Sequence, residues 1–274
     1  VAVNIAEGAR SRNREGEVPT LLELMDIPFT GSDAPTLSLS LDKVWTKDLA
    51  RAAGVATPDY TVCRPGCNPK HIVAPCPFPL FVKPRYEGSA KGLTAHSRVE
   101  NRTSLEREIR RVNEVYRQDA VVEVFVEGGG EFTVAIHGDP PVALPVIQRA
   151  VERGSRIGLH VLEREDLPDS APAAGYEWDL PGTLTPELET RLQADALAVF
   201  KKLECRDFAR VDFRIDADGH PWFLEINPLP TFRPDDTFAI SAELAGRSYP
   251  EFLSEVLGGA VERAVARTAA GGRS

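Results

Sequence analysis

The sequence predicts a mixed fold of the α/β or α+β class. Segments with strand-like alternation take turns with segments whose apolar residues recur at helical spacing. The clearest element is a hairpin over residues 209–230, where two runs rich in Val, Ile, Phe and Trp flank the turn Asp216–Gly219. The 274 residues suffice for one large or two modest domains, and the sequence contains no internal repeat.

The first predicted elements lead from the N-terminus to a buried strand. Residues 1–36 are predicted to form a strand, a loop, a helix and a strand. A helix over residues 43–53 ends at Gly54, which suits the left-handed cap that closes many helices. The apolar run at residues 79–84 predicts a buried strand.

A second helix and two more strands follow. Thr103 and Glu106 form a T-x-x-E capping box ahead of apolar residues at helical spacing, so this helix is predicted to begin there. Residues 121–126 and 131–137 are predicted strands. The glycines between them, Gly128–Gly130, predict a turn that acts as a hinge between two lobes.

The last predicted helix precedes the hairpin and begins at Thr185, followed by Pro186. Its inner face carries apolar residues at helical spacing: Leu188, Leu192, Ala196, Val199 and Leu203. Residues 149–184 are irregular and charged, and a loop of this length is more often functional or mobile than inert.

The composition restricts the class of partner. The net charge is −9 and the pI is about 5.2, which disfavours nucleic acid or an anionic membrane as a partner. No apolar run approaches the ~20 residues of a membrane span and no signal peptide opens the chain, so a cytoplasmic protein is expected. The chain begins VAVNIAEG, without Met and inside an apparent strand, which predicts an earlier segment.

Three cysteines and one histidine crowd a proline-rich stretch: Cys63, Cys67, His71 and Cys76. Their spacing does not match the paired C-x2-C pattern of structural zinc sites. Loop packing with reduced thiols is therefore the preferred interpretation, and structural zinc is the alternative.

The hairpin carries four polar side chains where packing residues are expected: Arg210, Asp212, Glu225 and Asn227. With a four-residue loop, Arg210 lies opposite Glu225 and Asp212 lies opposite Phe223, which places the polar set on one face. Oxygens of this kind are ligands that Mg²⁺ accepts beside substrate phosphates, and an arginine fork suits a phosphoryl oxygen. The hairpin thus predicts a metal and phosphate site; the alternative is a solvated face with an Arg–Glu pair.

A lysine and a glycine-containing loop form a second candidate phosphate site. Lys83 ends the predicted buried strand, and the segment FVKPRYEGSAKG continues through Gly88, Ser89 and Gly92. A lysine suits phosphate oxygens, and backbone N–H groups of such a loop suit a lid over them. The loop alone is more often a surface turn, and Lys43, at a helix start, is also compatible with a solvated position.

In combination these motifs resemble the ATP-grasp superfamily and, within it, the D-alanine:D-alanine ligase family. IPFTGSD near residue 27, LDK, VKPxxEGS, VVEVFVEGGGEFTV and ARVDF...FLEINPLP occur in the order of that family. The resemblance implies two α+β lobes that grip ATP, over residues 37–127 and 128–274. It also implies that residues 1–36 are the remnant of an N-terminal α/β domain.

The resemblance further implies residues that bind the nucleotide. Lys43 and Lys83 hold the ATP phosphates, and Glu87, Gly88 and Ser89 belong to the loop that closes over them, Ser89 with a catalytic role. Glu123 begins the adenine-binding linker and Glu131 holds the ribose hydroxyls, with one residue more between them than the family pattern has.

The hairpin residues take the remaining roles that the resemblance implies. Asp212, Glu225 and Asn227 are the ligands of Mg²⁺, for which Mn²⁺ substitutes. Arg210 is the catalytic arginine that stabilises the transferred phosphate and the tetrahedral intermediate.

The substrate half departs from the family pattern. Glu7-Gly8 stands where the family has His-Gly, and Pro230-Thr231 where it has Pro-Gly. Asp236 replaces the serine that meets the carboxylate of the second D-alanine, and its charge is expected to repel a carboxylate. The lysine of the family's mobile loop is absent, and three arginines are candidates to supply its charge: Arg149, Arg153 and Arg156.

We therefore expect an ATP-dependent ligase that joins a small-molecule carboxylate to an amine through an acyl phosphate, with an altered substrate site. The nearest alternative is D-alanine:D-alanine ligation itself. A non-catalytic ATP-binding protein and a zinc-binding interaction module are the others. The resemblance also implies a homodimer.

Overall fold

The computed structural model describes residues 1–9, 11–158 and 177–271. The helices are α1 (Glu17–Leu24), α2 (Ala34–Leu41), α3 (Lys43–Ala52), α4 (Arg102–Arg111), α5 (Pro186–Lys202), α6 (Thr237–Leu244) and α7 (Tyr249–Gly271). The strands are β1 (Tyr60–Cys63), β2 (Leu80–Pro84), β3 (Arg98–Val99), β4 (Ala120–Val124), β5 (Gly128–His137), β6 (Val142–Ala143), β7 (Ile147–Arg149), β8 (Val151–Glu152), β9 (Trp178–Asp179), β10 (Phe208–Asp216) and β11 (Pro221–Asn227). Among the described helices, none is both long and apolar enough to cross a membrane.

The strands form two antiparallel sheets and a short two-stranded one. The first sheet has the order β1-β4-β2-β3, and the second has the order β11-β10-β5-β6, with β7 also paired to β5. Strands β8 and β9 pair with each other. This sheet-plus-helix architecture agrees with the predicted α+β class.

Each large sheet has its own apolar core. Helix α4 packs on the first sheet through Leu105 and Ile109, which are fully buried with Leu80 and Val122. Helix α5 covers one face of the second sheet. Helices α6 and α7 cover the other face, where Phe238 and Phe252 contribute to a third cluster. Burial of these apolar faces is the main stabilising contribution to both lobes.

The segment that follows α3 joins the two sheets. The backbone N–H of Phe223, in β11, donates to the Ala56 carbonyl at 2.8 Å. The hydroxyl of Thr57 donates to the Phe223 carbonyl at 2.9 Å. Since β11 is the outer strand of its sheet, these bonds hold residues 56–57 against this edge of the second sheet.

Three predicted elements are confirmed at their ends. Helix α3 is closed by Gly54 with φ +80°. Helix α5 begins after Thr185, whose side chain accepts the Leu188 N–H. Strand β2 covers the predicted lysine-bearing run.

The prediction for residues 1–36 is only partly right. A helix is present, but the two predicted strands are reduced to a single parallel bridge between Ala2 and Phe29. The second of them is cut short because Asp33 caps a helix that the sequence reading missed, α2, by accepting the Thr36 N–H.

The predicted start of α4 and the predicted glycine turn are both wrong. Asn101, not Thr103, caps α4, and it exchanges hydrogen bonds with Ser104 in a capping box. Gly128–Gly130 belong to β5 instead of forming a turn. The glycines are needed for space: a Cβ on Gly128 would lie 2.5 Å from the backbone nitrogen of Ala217, at the hairpin turn.

The cysteine stretch contains a disulfide. Cys63 and Cys67 are bonded to each other, so the prediction of reduced thiols there is wrong for these two residues. Cys76 is a free cysteine. The zinc interpretation falls as well, because two of its four proposed ligands are consumed by the disulfide. Of the irregular stretch predicted at 149–184, residues 159–176 lie outside the described residues.

Candidate active site

The predicted register of the hairpin is wrong by two residues at its polar end. Arg210 pairs with Asn227, and Asp212 pairs with Glu225, so the two carboxylates lie directly opposite each other. One residue of this shift arises at the turn, where Ile215 pairs with Pro221, and the other arises because Leu224 is an extra residue between the pairs Asp212–Glu225 and Phe213–Phe223. This bulge leaves Phe223 fully buried against Phe213, while Leu224 and Glu225 both line a cavity.

The polar set is therefore assembled more tightly than alternation alone predicts. Arg210 Nη2 lies 3.1 Å from Asp212 Oδ2. The other carboxylate oxygen of Asp212 accepts the hydroxyl of Thr133 in β5. Burial opposes the charge of Arg210, yet the carboxylates of Asp212, Glu225 and Asp236 raise its pKa above the ordinary value. The guanidinium is thus a permanent cation beside the carboxylates.

Asp212, Glu225 and Asn227 form a donor set that fits a magnesium ion. Asp212 and Glu225 offer two carboxylates from opposite strands, and Asn227 offers an amide oxygen two residues further along β11. The Asn227 oxygen accepts the Leu229 N–H at 2.9 Å, which fixes the amide orientation and leaves a lone pair free. Hard oxygens in this number suit Mg²⁺, which keeps further positions for phosphate oxygens and water.

Three buried lysines and one glutamate lie near this row, two of the lysines on α3 and the other two residues on the first sheet. Glu123, in β4, lies between Lys83 Nζ at 2.6 Å and Lys47 Nζ at 2.8 Å. Lys43 Nζ lies 3.7 Å from Glu225 Oε2. Burial acts to raise the pKa of Glu123, but the ammonium groups of Lys47 and Lys83 hold it below the ordinary value.

Sequence reasoning missed Lys47. It follows Lys43 by four residues on α3, so the two lysines share one helix face, and this spacing was the signal that was available. Burial lowers the pKa of Lys47 to about 8, against the attraction of Glu123. Burial also lowers the pKa of Lys43.

The loop over residues 85–92 lies against the lysines. Lys43 Nζ donates to the carbonyl oxygen of Glu87. The Glu87 carboxylate accepts Gln118 Nε2 at 2.5 Å and pairs with Arg14 at 3.4 Å. Ser89 has a left-handed φ of 50° and its hydroxyl lies 3.5 Å from Glu7 Oε1. The loop residues named from the sequence therefore adjoin Lys43 and Glu7.

The main cavity lies between the two sheets. It is lined by the residues expected at the phosphates, by Glu131, and by an apolar end that includes Phe81, Phe125 and Ile157. The rings of Phe81 and Phe125 stack at 5.7 Å, and the Arg214 guanidinium covers Phe125 at 4.5 Å. A charged end and an aromatic end in one cavity match the two parts of a nucleotide.

A second cavity adjoins the metal row. Glu7, Ser89, Glu225 and Asn227 line it, together with Glu15, which sequence reasoning also missed. Burial raises the pKa of Glu15 to about 7; Arg14 opposes this increase and Glu7 adds to it.

Asp236 lies near the site and also accepts hydrogen bonds that stabilise the local structure. It caps α6 by accepting the Thr237 N–H at 2.7 Å, and it accepts the Thr231 hydroxyl at 2.5 Å. Burial acts to raise its pKa, but these hydrogen bonds and the charges of Arg210 and Arg149 lower it. Its negative charge is thus retained, but two cations face it.

The three candidate arginines differ in position. Arg149 Nη2 donates to the Thr237 hydroxyl at 2.6 Å, beside Asp236. Arg153 pairs with Glu177 at 2.6 Å, and Arg156 pairs with Asp179 at 2.9 Å. Only Arg149 among these three is placed next to the Asp236 cluster in the described structure.

Comparison with known proteins assigns the chain to a family. The family model "D-ala D-ala ligase C-terminus" matches residues 49–258. The chain belongs to the D-alanine:D-alanine ligase family. It is therefore an ATP-grasp ligase that joins a carboxylate to an amine, as expected from the motifs.

Two relatives illustrate the range of this family. An uncharacterised protein, y4sG, of Sinorhizobium fredii is 33% identical over 256 residues, which are 93% of this chain and 72% of the relative. A D-alanine–D-alanine ligase of Nitrosomonas eutropha is 31% identical over 246 residues, which are 89% of this chain and 74% of the relative.

Two solved structures share the fold. VanG, a D-Ala:D-Ser ligase from Enterococcus faecalis, has a TM-score of 0.76 at 23% identity and covers 94% of this chain and 72% of its own. A D-alanine–D-alanine ligase from Bacillus anthracis, complexed with ATP, has a TM-score of 0.68 at 24% identity, with 92% and 76% covered. The predicted ATP-grasp fold is thereby confirmed.

Proposed function

We propose that this protein activates a small carboxylic acid with ATP and transfers the acyl group to an amine, with a pair of substrates other than two D-alanines. The observation that carries the proposal is that Asp212 and Glu225 line the same cavity as Lys43 and Lys83, with Arg210 held beside Asp212. This concentration of fixed charge suits a carboxylate that attacks the γ-phosphate of ATP.

In this proposal Lys43 and Lys83 bind the phosphates, and Asp212, Glu225 and Asn227 hold Mg²⁺ or Mn²⁺. The metal ion supplies charge neutralisation between the phosphates. Arg210 stabilises charge that develops on the transferred phosphoryl group, because its guanidinium is held beside the donor set by Asp212.

The nucleoside is proposed to occupy the aromatic end of the main cavity. Glu131 is positioned for the ribose hydroxyls, since it lines the cavity one strand from Arg214. Glu123 lies in β4, and only Val124 separates it from residues 125–127, the link between β4 and β5. Two lysines share its carboxylate, so we propose that Glu123 acts on the nucleotide indirectly, through Lys83.

The loop over residues 85–92 is proposed to act as the lid, with Glu87, Gly88 and Ser89 at its centre. Closure of this loop excludes water from the acyl phosphate, which would otherwise hydrolyse. The Ser89 hydroxyl lies 3.5 Å from Glu7 Oε1 and both residues line the second cavity, which supports a binding position for the acid substrate between the lid and the metal row.

The altered acceptor site supports a substrate pair other than two D-alanines. Asp236 carries a charge where a carboxylate of the second substrate would bind, and Thr231 donates to it. D-alanine:D-alanine ligation remains the second candidate because Arg149 and Arg210 offset that charge. We retain as a proposal the division into an N-terminal remnant, 1–36, and two lobes, 37–127 and 128–274.

The test is phosphate release from ATP and Mg²⁺, screened against single and paired amino acids, other small carboxylic acids and amines. Release that needs one acid and one amine supports a ligase, and release with D-alanine alone supports the second candidate. A protein that binds ATP without turnover under every condition contradicts both.

The metal assignment has its own test in Glu225→Gln. Turnover should fall at least a hundredfold while the thermal unfolding midpoint stays close to that of the wild type, because a ligand is lost from an already polar face. Glu243→Gln, at an exposed glutamate of α6, is the matched control. Unchanged turnover in Glu225→Gln sinks the metal assignment.

A further inference from the structure

Lys47 is fully buried, which is unusual for a lysine. Its ammonium group contacts Glu123 Oε2 at 2.8 Å, the Thr57 hydroxyl at 2.8 Å and the Pro58 carbonyl at 3.4 Å. A buried ammonium is expensive unless it is paired and hydrogen-bonded, and here the pairing is complete. Lys47 does not line the main cavity, so it does not touch a ligand there.

The charge balance of this cluster gives Lys47 a function. Glu123 Oε1 contacts Lys83 and Glu123 Oε2 contacts Lys47, so one carboxylate serves two ammonium groups. A pair of Lys83 and Glu123 alone would be neutral and would attract a phosphate weakly. The three groups together carry one net positive charge, and Lys83 is the member that lines the cavity.

We infer that Lys47 is a positioning residue of the phosphate site, which shares the carboxylate of Glu123 so that Lys83 presents a net positive charge to ATP. The inference rests on the proposed role of Lys83 in binding phosphate. Lys47 acts through Glu123 and Lys83, and it requires that all three remain in register across α3, β4 and β2.

A second contact connects the same lysine to the metal row. Thr57, which accepts a hydrogen bond from Lys47, donates to the carbonyl of Phe223 at 2.9 Å. Phe223 directly precedes the bulge residue Leu224 and the metal-ligand residue Glu225. Through Thr57 and Phe223, Lys47 thus contributes to the spacing between α3 and the metal-ligand residues of β11.

The experiment is a charge cycle of four proteins: wild type, Lys47→Met, Glu123→Gln and the double variant. The affinity for ATP with Mg²⁺ is measured for each, and the affinity for adenosine reports on the nucleoside end. Lys47→Met leaves a neutral pair, so ATP should bind about tenfold more weakly. The double variant regains one net positive charge and should recover to within about threefold of the wild type.

A purely structural role predicts a different pattern. The double variant would then bind ATP no better than Lys47→Met, because it lacks two buried partners instead of one. That result, or an unchanged affinity in Lys47→Met, overturns the inference. Adenosine affinity should be the same in all four proteins, and Lys201→Met, at an exposed lysine of α5, is the control for loss of charge elsewhere.

The double variant keeps the inference testable if Lys47→Met does not fold, because it removes both members of the buried Lys47–Glu123 pair. It retains the charge of Lys83, so a tenfold decrease in its affinity for ATP overturns the inference. Failure of the wild type to bind ATP is a separate outcome, which contradicts the proposed function itself.

Discussion

At the scale of single residues, the site is defined by buried charges that compensate one another. Glu123 is shared by two lysines, and Asp212 is shared by Arg210 and Thr133. Glu15 is the exception. It lines the second cavity, its pKa is raised by burial, and no described residue donates a hydrogen bond to it.

Glu15 therefore predicts a pH dependence of stability. Its native pKa of about 7 exceeds the ordinary value of 4.5, so the native state holds a proton that the unfolded state has lost between these pH values. The stabilisation is complete below pH 4.5 and is lost as the pH rises through 7. Gln cannot ionise. The free energy of unfolding of Glu15→Gln, relative to that of the wild type, should therefore increase by on the order of 2–3 kcal/mol between pH 4.5 and pH 8.

Chemical unfolding of both proteins across this pH range measures the effect. Glu23→Gln, at an exposed glutamate of the helix that follows Glu15, should show a constant difference from the wild type. A constant difference in Glu15→Gln as well means that the carboxyl titrates normally.

At the scale of elements, one bulge decides what the hairpin presents. Strict alternation places Phe223 with the polar residues, whereas the extra residue Leu224 sends Phe223 into the core and turns Glu225 to the cavity. Alternation is a property of regular strands, and the sequence has no glycine at this position to announce a bulge. Core periodicity therefore predicted the hairpin but not its register.

Helix α6 offers a second element-scale prediction, at its cap. Serine is as good a cap as aspartate, so Asp236→Ser should change the free energy of unfolding by less than about 1 kcal/mol. If the charge of Asp236 repels a carboxylate, phosphate release with free amino acids as acceptors should increase about tenfold. Asp33→Ser, at the cap of α2, is the matched control, and an equal response in both variants removes the main argument against dipeptide formation.

At the scale of the whole molecule, the motifs predicted the family and the fold, and four of the five line the same cavity between the sheets, whereas IPFTGSD lies outside this lining. Contacts between distant segments were out of reach. The burial of Lys47 depends on Glu123, which is 76 positions away along the chain and in another element. Local sequence patterns indicate propensity and amphipathicity, and neither property identifies the distant residue that pairs with a buried charge.

A ligand that contacts both sheets should stabilise both together. ATP at a hundred times its dissociation constant contributes about 2.7 kcal/mol, which raises the unfolding midpoint by about 5 °C. We expect this increase with ATP and Mg²⁺, and a smaller one when EDTA removes the metal ion. An equal increase with and without EDTA contradicts a role for the metal in holding the phosphates.

The bonds between Phe223 and residues 56–57 also bear on how this protein meets other chains. An outer strand exposes backbone donors and acceptors to pairing with a foreign strand, and β11 is an outer strand that carries Glu225 and Asn227. At Phe223 both backbone groups are already occupied by the chain itself. The contacts that join the lobes therefore also protect the reactive edge from aggregation by strand addition.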